Sequence, residues 1–252
     1  MAKILVIDAY TTNAPLILMN RKGYTVLGTT AKNISASLFG TNWDYVAIQD
    51  VYLVSDVIKS YPFITSIIER VGGNGKVSFY KRSDKIQQKS LKQFLKITDK
   101  NTLYHTLVTF DSIRGFFEPH VSSMGESFVT KNHISLFTML NDKTEFGTTV
   151  SIKAFELKNE SNLKILVCCD VLANDLIDNI QLVATVRNKS KTVVYQNFFL
   201  KDYFNRSPEW KRMEFQFVLP AFETPDDEVG VYFWNPGKMN FSYDNFEVII
   251  YK

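Results

Sequence analysis

Trp210–Pro220 reads WKRMEFQFVLP, and after a polar turn Asp227–Tyr251 reads DEVGVYFWNPGKMNFSYDNFEVIIY. Short runs rich in aromatic and β-branched residues, separated by Pro, Gly and Asp turns, are what half-buried strands require. The stretch therefore predicts the closing strands of a two-sheet sandwich. Working back from it, the same periodicity runs to about Asn101, through LYHTLVTFD, ESFVTK, HISLFTML, TTVSIKAFEL, LKILVCCDVL, NIQLVATVR and TVVYQNFFL, then MEFQFVL, EVGVYFW and FEVIIY. Polar or Gly/Pro turns such as KNESN, RNKSK, FETPDDE and NPGK separate these segments, and no helical period competes with them. Residues 101–252 are predicted to be a jelly-roll β-sandwich.

The segments that carry this reading also resemble the ending of jelly-roll carbohydrate-binding modules of the galactose-binding-like group. Trp210 opens a strand that ends at Pro220, Val231–Trp234 form a strand with an aromatic end, and Asp244 precedes the apolar Phe246 and Val248. Phe110-Asp111 and SFVTK resemble the opening of such modules. The resemblance implies a partner of carbohydrate or glycosylation-acceptor type, and a structural Ca²⁺ whose ligands map to Asp111, Glu118 and Asp244. Sugar recognition combines flat aromatic faces with amide, carboxylate or guanidinium groups. The richest such mixtures are Trp234 with Asn235, Tyr243 and Asn245, and the loop that holds Arg114. Each aromatic also has a plain core reading, so Trp210 and Trp234 remain open between platform and packing.

Residues 1–82 read differently. KILVID, YTVLGT, DYVAIQD and KVSFY alternate with amphipathic stretches, the longest from Ser55 to Val71. Four strands and three crossovers predict a small, mostly parallel, Rossmann-like α/β domain. Gly23 is assigned to a helix C-cap, and Gly72, Gly73 and Gly75 to the turn into the last strand. Strand ends offer Asp8, Thr11, Thr12, Asn13 and Asp50. Asp8 and Asp50 would suit a small α/β enzyme, whereas Asp8, Thr12 and Asn13 suit helix capping, the favoured reading. The first βα turn, DAYTTNAP, has no phosphate-cradling glycine pattern, so no nucleotide cofactor is expected. Residues 83–100, SDKIQQKSLKQFLKITDK, read as a linker or short helix docking through Ile86, Leu91, Phe94 and Leu95.

AKILVIDAY, NAPLILMNRKGYTVLGT, WDYVAIQD and GGNGKVSFYKR resemble the soluble extracytoplasmic region of bacterial protein-mannosyltransferase-type membrane glycosyltransferases. That resemblance implies a non-catalytic, periplasmic accessory region with a membrane domain upstream. It agrees with a chain that begins within its first strand without a leader, as a piece of a longer protein would. A protein-interaction or assembly module is the other non-enzymatic reading.

Composition narrows the classes. The 252 residues carry a net charge of +3 with scattered Lys and Arg, which predicts no nucleic-acid partner. No apolar run is long enough to span a bilayer. The two cysteines, Cys168 and Cys169, are adjacent in a strand and face opposite ways, which suits packing rather than a disulfide. His105, His120 and His133 have no metal-ligand spacing, and no nucleophile elbow occurs. Glu118, Glu126, Glu145 and Asp170 are available as paired carboxylates, but their spacing selects none of them.

Overall fold

The structure is a computed structural model that describes residues 2–7, 14–87, 89–110, 120–122, 127–131, 135–158, 160, 162–174, 177–189, 191–204 and 206–252, with backbone alone at 14, 18, 127–131 and 135–137. The chain divides into two compact units, Met1–Asn101 and Thr102–Lys252.

In the first unit β1 (Lys3–Ile7), β2 (Lys22–Val26), β3 (Tyr45–Gln49), β4 (Ile68–Gly73) and β5 (Val77–Arg82) form one sheet in the order β2-β1-β3-β5-β4. β1 runs parallel to β2 and β3, whereas β5 runs antiparallel to β3 and β4. The mostly parallel, Rossmann-like domain expected from the sequence is therefore corrected to a mixed sheet of five strands. The extra strand comes from the end of the stretch read as one long helix. Asp50–Tyr52 (α3) continues as a π-helical turn over Leu53–Ile58, Pro62 interrupts the helical path, and α4 (Ile64–Ile67) gives way to β4. Ring closure at Pro62 and a run of β-branched residues oppose a continuous helix there. β4 then turns back on β5 through Asn74, whose Oδ1 accepts the N–H groups of Lys76 and Val77 at 3.0 and 2.9 Å. Gly72 and Gly73, expected in the turn, instead end β4 opposite Phe79 and Ser78, and Asn74–Lys76 make the hairpin turn, with Gly75 at φ +84°.

Gly23 lies inside β2 rather than capping a helix. A Cβ there would overlap the Ile4 carbonyl of the paired strand, so the register itself demands glycine. Ile4, Leu5, Val6 and Ile7 are all buried, as a strand covered on both faces must be. Ile4, Val6 and Ala47 pack with Leu16 of α1 (Ala14–Leu18). α2 (Ala31–Gly40), started by Thr30 Oγ1 accepting the Asn33 N–H at 3.2 Å, buries Ile34 and Leu38. Within 83–100 the chain forms α5 (Leu91–Phe94), closed by a Ser90/Gln93 capping box, and Tyr80 stacks on Phe94 at 5.8 Å.

The second unit consists of β6 (Thr102–Val108), β7 (Val121–Ser122), β8 (Ser127–Lys131), β9 (Ser135–Leu140), β10 (Phe146–Lys153), β11 (Lys164–Ala173), β12 (Gln181–Asn188), β13 (Lys191–Phe199), β14 (Ser207–Val218), β15 (Glu228–Trp234) and β16 (Phe241–Tyr251). One sheet has the order β13-β12-β15-β10-β7 and the other β14-β11-β16-β9-β8, with β6 pairing β16 beyond the end of β9. Every pairing in this unit is antiparallel. From β10 onward the chain passes repeatedly between the sheets, so the predicted β-sandwich is present.

Its core lies between the facing sides. Val229, Val231 and Phe233 of β15 and Leu182, Ala184 and Val186 of β12 meet Ile165, Val167 and Cys169 of β11 and Phe246, Val248 and Ile250 of β16. Each large apolar side chain enclosed in this way contributes about 1.5–3 kcal/mol from burial. Cys168 and Cys169 are both buried, on opposite sides of β11, and form no disulfide. Burial pushes the Cys169 thiol far above its ordinary range, which leaves it an inert packing group.

Candidate functional site: the outer face of the first sandwich sheet

Because β15 sends Val229, Val231 and Phe233 inward, Glu228, Gly230, Tyr232 and Trp234 stand on its outer side. The strand register then dictates which residues lie beside them. Tyr232 pairs with Thr149 and Val183, Thr149 with Ser122, and Val183 with Asn197, giving one rung across all five strands. The next rung is Ser151, Gly230, Thr185 and Tyr195, and beyond it lie Lys153, Glu228, Arg187 and Thr192. On the other flank Phe146, Trp234, Gln181 and Phe199 form a largely aromatic rung.

These rungs line a groove of about 310 Å³ walled by Ser122, Phe146, Thr149, Ser151, Arg187, Glu228 and Tyr232, with Thr185 and Gly230 at its floor. Thr185 is 2% exposed, and its hydroxyl has no hydrogen-bond partner among the described residues. A buried hydroxyl left unmatched costs about 1–3 kcal/mol, a cost that a ligand hydroxyl placed above it removes. Tyr232 is held edge-on by Phe146 with centroids 5.9 Å apart. Burial, and then the neighbouring Tyr232, hold the Tyr195 phenol above its ordinary range, so Tyr195 is a neutral hydroxyl at neutral pH. Its hydroxyl reaches Gln181 Oε1 at 3.2 Å, and Asn197 Nδ2 donates to the same oxygen at 2.7 Å. The result is a fixed polar and aromatic surface beside the groove. Phe146, Tyr195 and Phe199 are exposed there.

The site residues expected from the sequence scatter over this frame. Trp234 does stand on the groove face, with its Nε1–H donating to Glu145 Oε1 at 3.2 Å. Asn235 is wholly buried: its Nδ2 donates to the Thr144 and Met239 carbonyls at 3.1 and 3.0 Å, and its Oδ1 accepts the Met239 N–H at 2.9 Å. It ties loops together and presents nothing to a ligand. Tyr243 is in the core, ringed by Phe110, Phe233, Phe241 and Phe246, and its hydroxyl accepts the Thr148 N–H at 2.8 Å. Asn245 belongs to the other sheet, where its Nδ2 donates to Asp170 Oδ2 at 2.7 Å. The grouping of Trp234, Asn235, Tyr243 and Asn245 is therefore corrected: sequence neighbours beyond Trp234 are drawn into a loop, the core and the opposite sheet.

Arg114, Asp111 and Glu118 lie outside the described residues, as do Asp8, Thr11, Thr12, Asn13, Glu126 and His133. Of the three expected calcium ligands only Asp244 is described, and its Oδ1 accepts the Asn245 N–H at 2.7 Å. Among the described residues no three acidic, His or Cys side chains converge on a metal position. Asp50 is wholly enclosed at the start of α3, with its N–H on the Lys76 carbonyl at 2.8 Å, so it does not face a substrate. His105 Nε2 meets Glu247 Oε1 at 2.8 Å, and Arg212 bridges Glu247 and Asp170 at 3.4 and 3.5 Å, a network on the second sheet away from the groove. His120 Nε2 meets Glu156 Oε2 at 3.2 Å.

Sequence reasoning missed Thr185, Arg187, Tyr195, Glu228, Gly230 and Tyr232 as one group. The signal available was the two-residue alternation within NIQLVATVR and EVGVYFW, which separates outer from inner positions but does not pair the strands.

No protein-family model and no curated protein matches the sequence. Among solved structures, the chain is similar to the second family 22 xylan-binding module of a Paenibacillus barcinonensis xylanase, at 11% identity over 58% of this chain and 98% of that one, with a TM-score of 0.37. It is also similar to a family 16 carbohydrate-binding module, at 13% identity over 54% of this chain and 96% of that one, with a TM-score of 0.32. A two-module Clostridium thermocellum xylanase fragment matches at 9% identity over 59% of this chain, with a TM-score of 0.36, and this chain spans 28% of its length. No membrane glycosyltransferase is among these similar structures, and the resemblance to the protein-mannosyltransferase type has no support from them. No helix among the described residues is long and apolar enough to cross a membrane.

Proposed function

We propose that the sandwich unit is a carbohydrate-binding module that holds a glycan chain in the groove on the outer face of its first sheet. The observation that carries this reading is the unmatched Thr185 hydroxyl at the floor of a groove flanked by Tyr232, Tyr195, Phe146 and Trp234. A pyranose ring offers an apolar C–H face and a rim of hydroxyls. The groove offers flat rings for the first and small hydroxyl, carboxylate and guanidinium groups for the second.

Binding suits the groove better than turnover. Glycoside hydrolysis uses two carboxylates across one bond, and among the described residues Glu228 is the one carboxylate lining the groove. The same proposal places the unit outside the cytoplasm, where polymeric glycans are met. Cell fractionation with an antibody to the chain tests that placement, and a purely cytoplasmic signal overturns it.

Titration calorimetry against β-1,4-linked gluco-, manno- and xylo-hexasaccharides tests the binding itself. At least one is expected to bind, and Tyr232→Ala is expected to abolish binding with the circular dichroism spectrum of a folded sandwich retained, at a lowered melting temperature because Tyr232 is only 8% exposed. Absence of binding to every glycan overturns the proposal, as does full binding by the Tyr232→Ala protein.

A further inference from the structure

The rung Lys153, Glu228, Arg187 and Thr192 differs from the other three in carrying charge. Arg187 stands directly across from Glu228, an arrangement in which opposite charges usually pair. Yet among the described residues the Arg187 guanidinium makes no hydrogen bond or ion pair, and neither does the Lys153 ammonium. The nearby acids are otherwise engaged. Glu156 takes His120 at 3.2 Å and the Lys153 N–H at 3.2 Å, and Asp227 takes the Thr224 hydroxyl at 2.7 Å. Among the described residues this rung itself therefore holds two cations to one carboxylate, with the planar fork of Arg187 at the groove wall. The opposite end is aromatic, and its nearest carboxylate, Glu145, already accepts from Trp234.

We infer that the groove selects an acidic glycan, with a uronate carboxylate seated on Arg187 and its neutral neighbours running over Tyr232 toward the aromatic rung. The guanidinium presents two parallel N–H donors matched to a carboxylate, and a charge-assisted pair of this kind is about twice as strong as a neutral one. Lys153 adds field without geometry, as a point charge on a mobile stem. A neutral sugar at this position meets the same cations without a formal charge to balance them.

The inference rests on the proposed glycan-binding groove, and one experiment separates the two. Three matched pairs of β-1,4-linked hexasaccharides, gluco, manno and xylo, each neutral and uronate-bearing, are titrated calorimetrically into the parent protein and into Arg187→Gln and Lys153→Gln. The acidic member of at least one pair is expected to bind about tenfold tighter than its neutral partner. Arg187→Gln is expected to weaken the acidic member far more than the neutral one, which also loses a hydroxyl partner, and so to remove the preference, Lys153→Gln to reduce it, and added salt to weaken it. Equal affinities within every binding pair overturn the acidic preference and leave the groove reading standing. A preference that survives Arg187→Gln in a folded protein also overturns it. No binding by any of the six overturns both.

Discussion

Gly230 and Thr185 face each other across β15 and β12, and a Cβ built on Gly230 stands 3.0 Å from Thr185 Oγ1. The missing side chain is what keeps the floor of the groove open above a buried hydroxyl. Gly230→Ala is expected to weaken glycan binding about tenfold by placing a methyl group where a ligand hydroxyl meets Thr185. Glycine within a strand is less stable than alanine by about 0.5–1 kcal/mol, so the melting temperature is expected to hold or rise slightly. Calorimetric titration beside thermal melts checks both; unchanged affinity contradicts the role given to the floor.

Tyr243 was a candidate ligand by its place in the sequence and is a core residue by its place in the fold. Tyr243→Phe keeps the ring among Phe233, Phe241 and Phe246 but removes the acceptor of the Thr148 N–H. A loss of about 1–3 kcal/mol is expected from the buried donor left without that oxygen. Urea denaturation measures this loss, and glycan affinity is expected to stay at the parent value.

Asn235 holds two loops at once, through the Asn141 and Thr144 carbonyls of one turn and the Met239 carbonyl of its own. Asn235→Asp is nearly the same shape, yet it turns the donating nitrogen into an oxygen that faces carbonyl oxygens. A drop of about 3 kcal/mol or more in unfolding free energy is expected, because a buried charge then keeps the Met239 N–H on one oxygen but turns the other against carbonyl oxygens. A denaturation midpoint equal to that of the parent sinks this account of the loop.

Asp227 titrates with folding. Burial pushes its carboxyl up, but hydrogen bonds from the Thr224 hydroxyl and from the Thr224 and Glu223 N–H groups outweigh burial and hold it below the ordinary 3.8. A folded value depressed in this way adds stability that is present above the unfolded value and is lost as pH falls through the folded one. Thermal melts from about pH 6 to about pH 2.5 are expected to fall less steeply at the acid end in Asp227→Asn than in the parent. Identical acid limbs rule out this contribution.

The sandwich was legible because its evidence is local. Each of MEFQFVL, EVGVYFW and NIQLVATVR shows strand composition and a turn on either side, and each forms a strand where expected. β7 was missed because two residues carry no period. β4 was missed because Ile64–Val71 satisfies a helical and an extended reading equally, and only pairing with β5 settles it. Rossmann-like parallel pairing failed for the same reason: strand direction depends on the connection, and Asn74–Lys76 form a hairpin turn rather than part of a crossover.

By itself the sequence determined the strand content, the inner and outer faces of each strand, and the confinement of Cys168 and Cys169 to packing. These follow from side-chain chemistry read at a spacing of two. Only the tertiary structure decided which outer faces lie side by side. Trp234 and Asn235 are adjacent in the chain yet separate into groove and buried loop, whereas Ser122, Thr149, Tyr232 and Asn197 share one rung although Ser122 and Tyr232 stand 110 residues apart. Register is a long-range choice made by the whole core at once, since a shift of one residue would turn every apolar side chain of a strand outward.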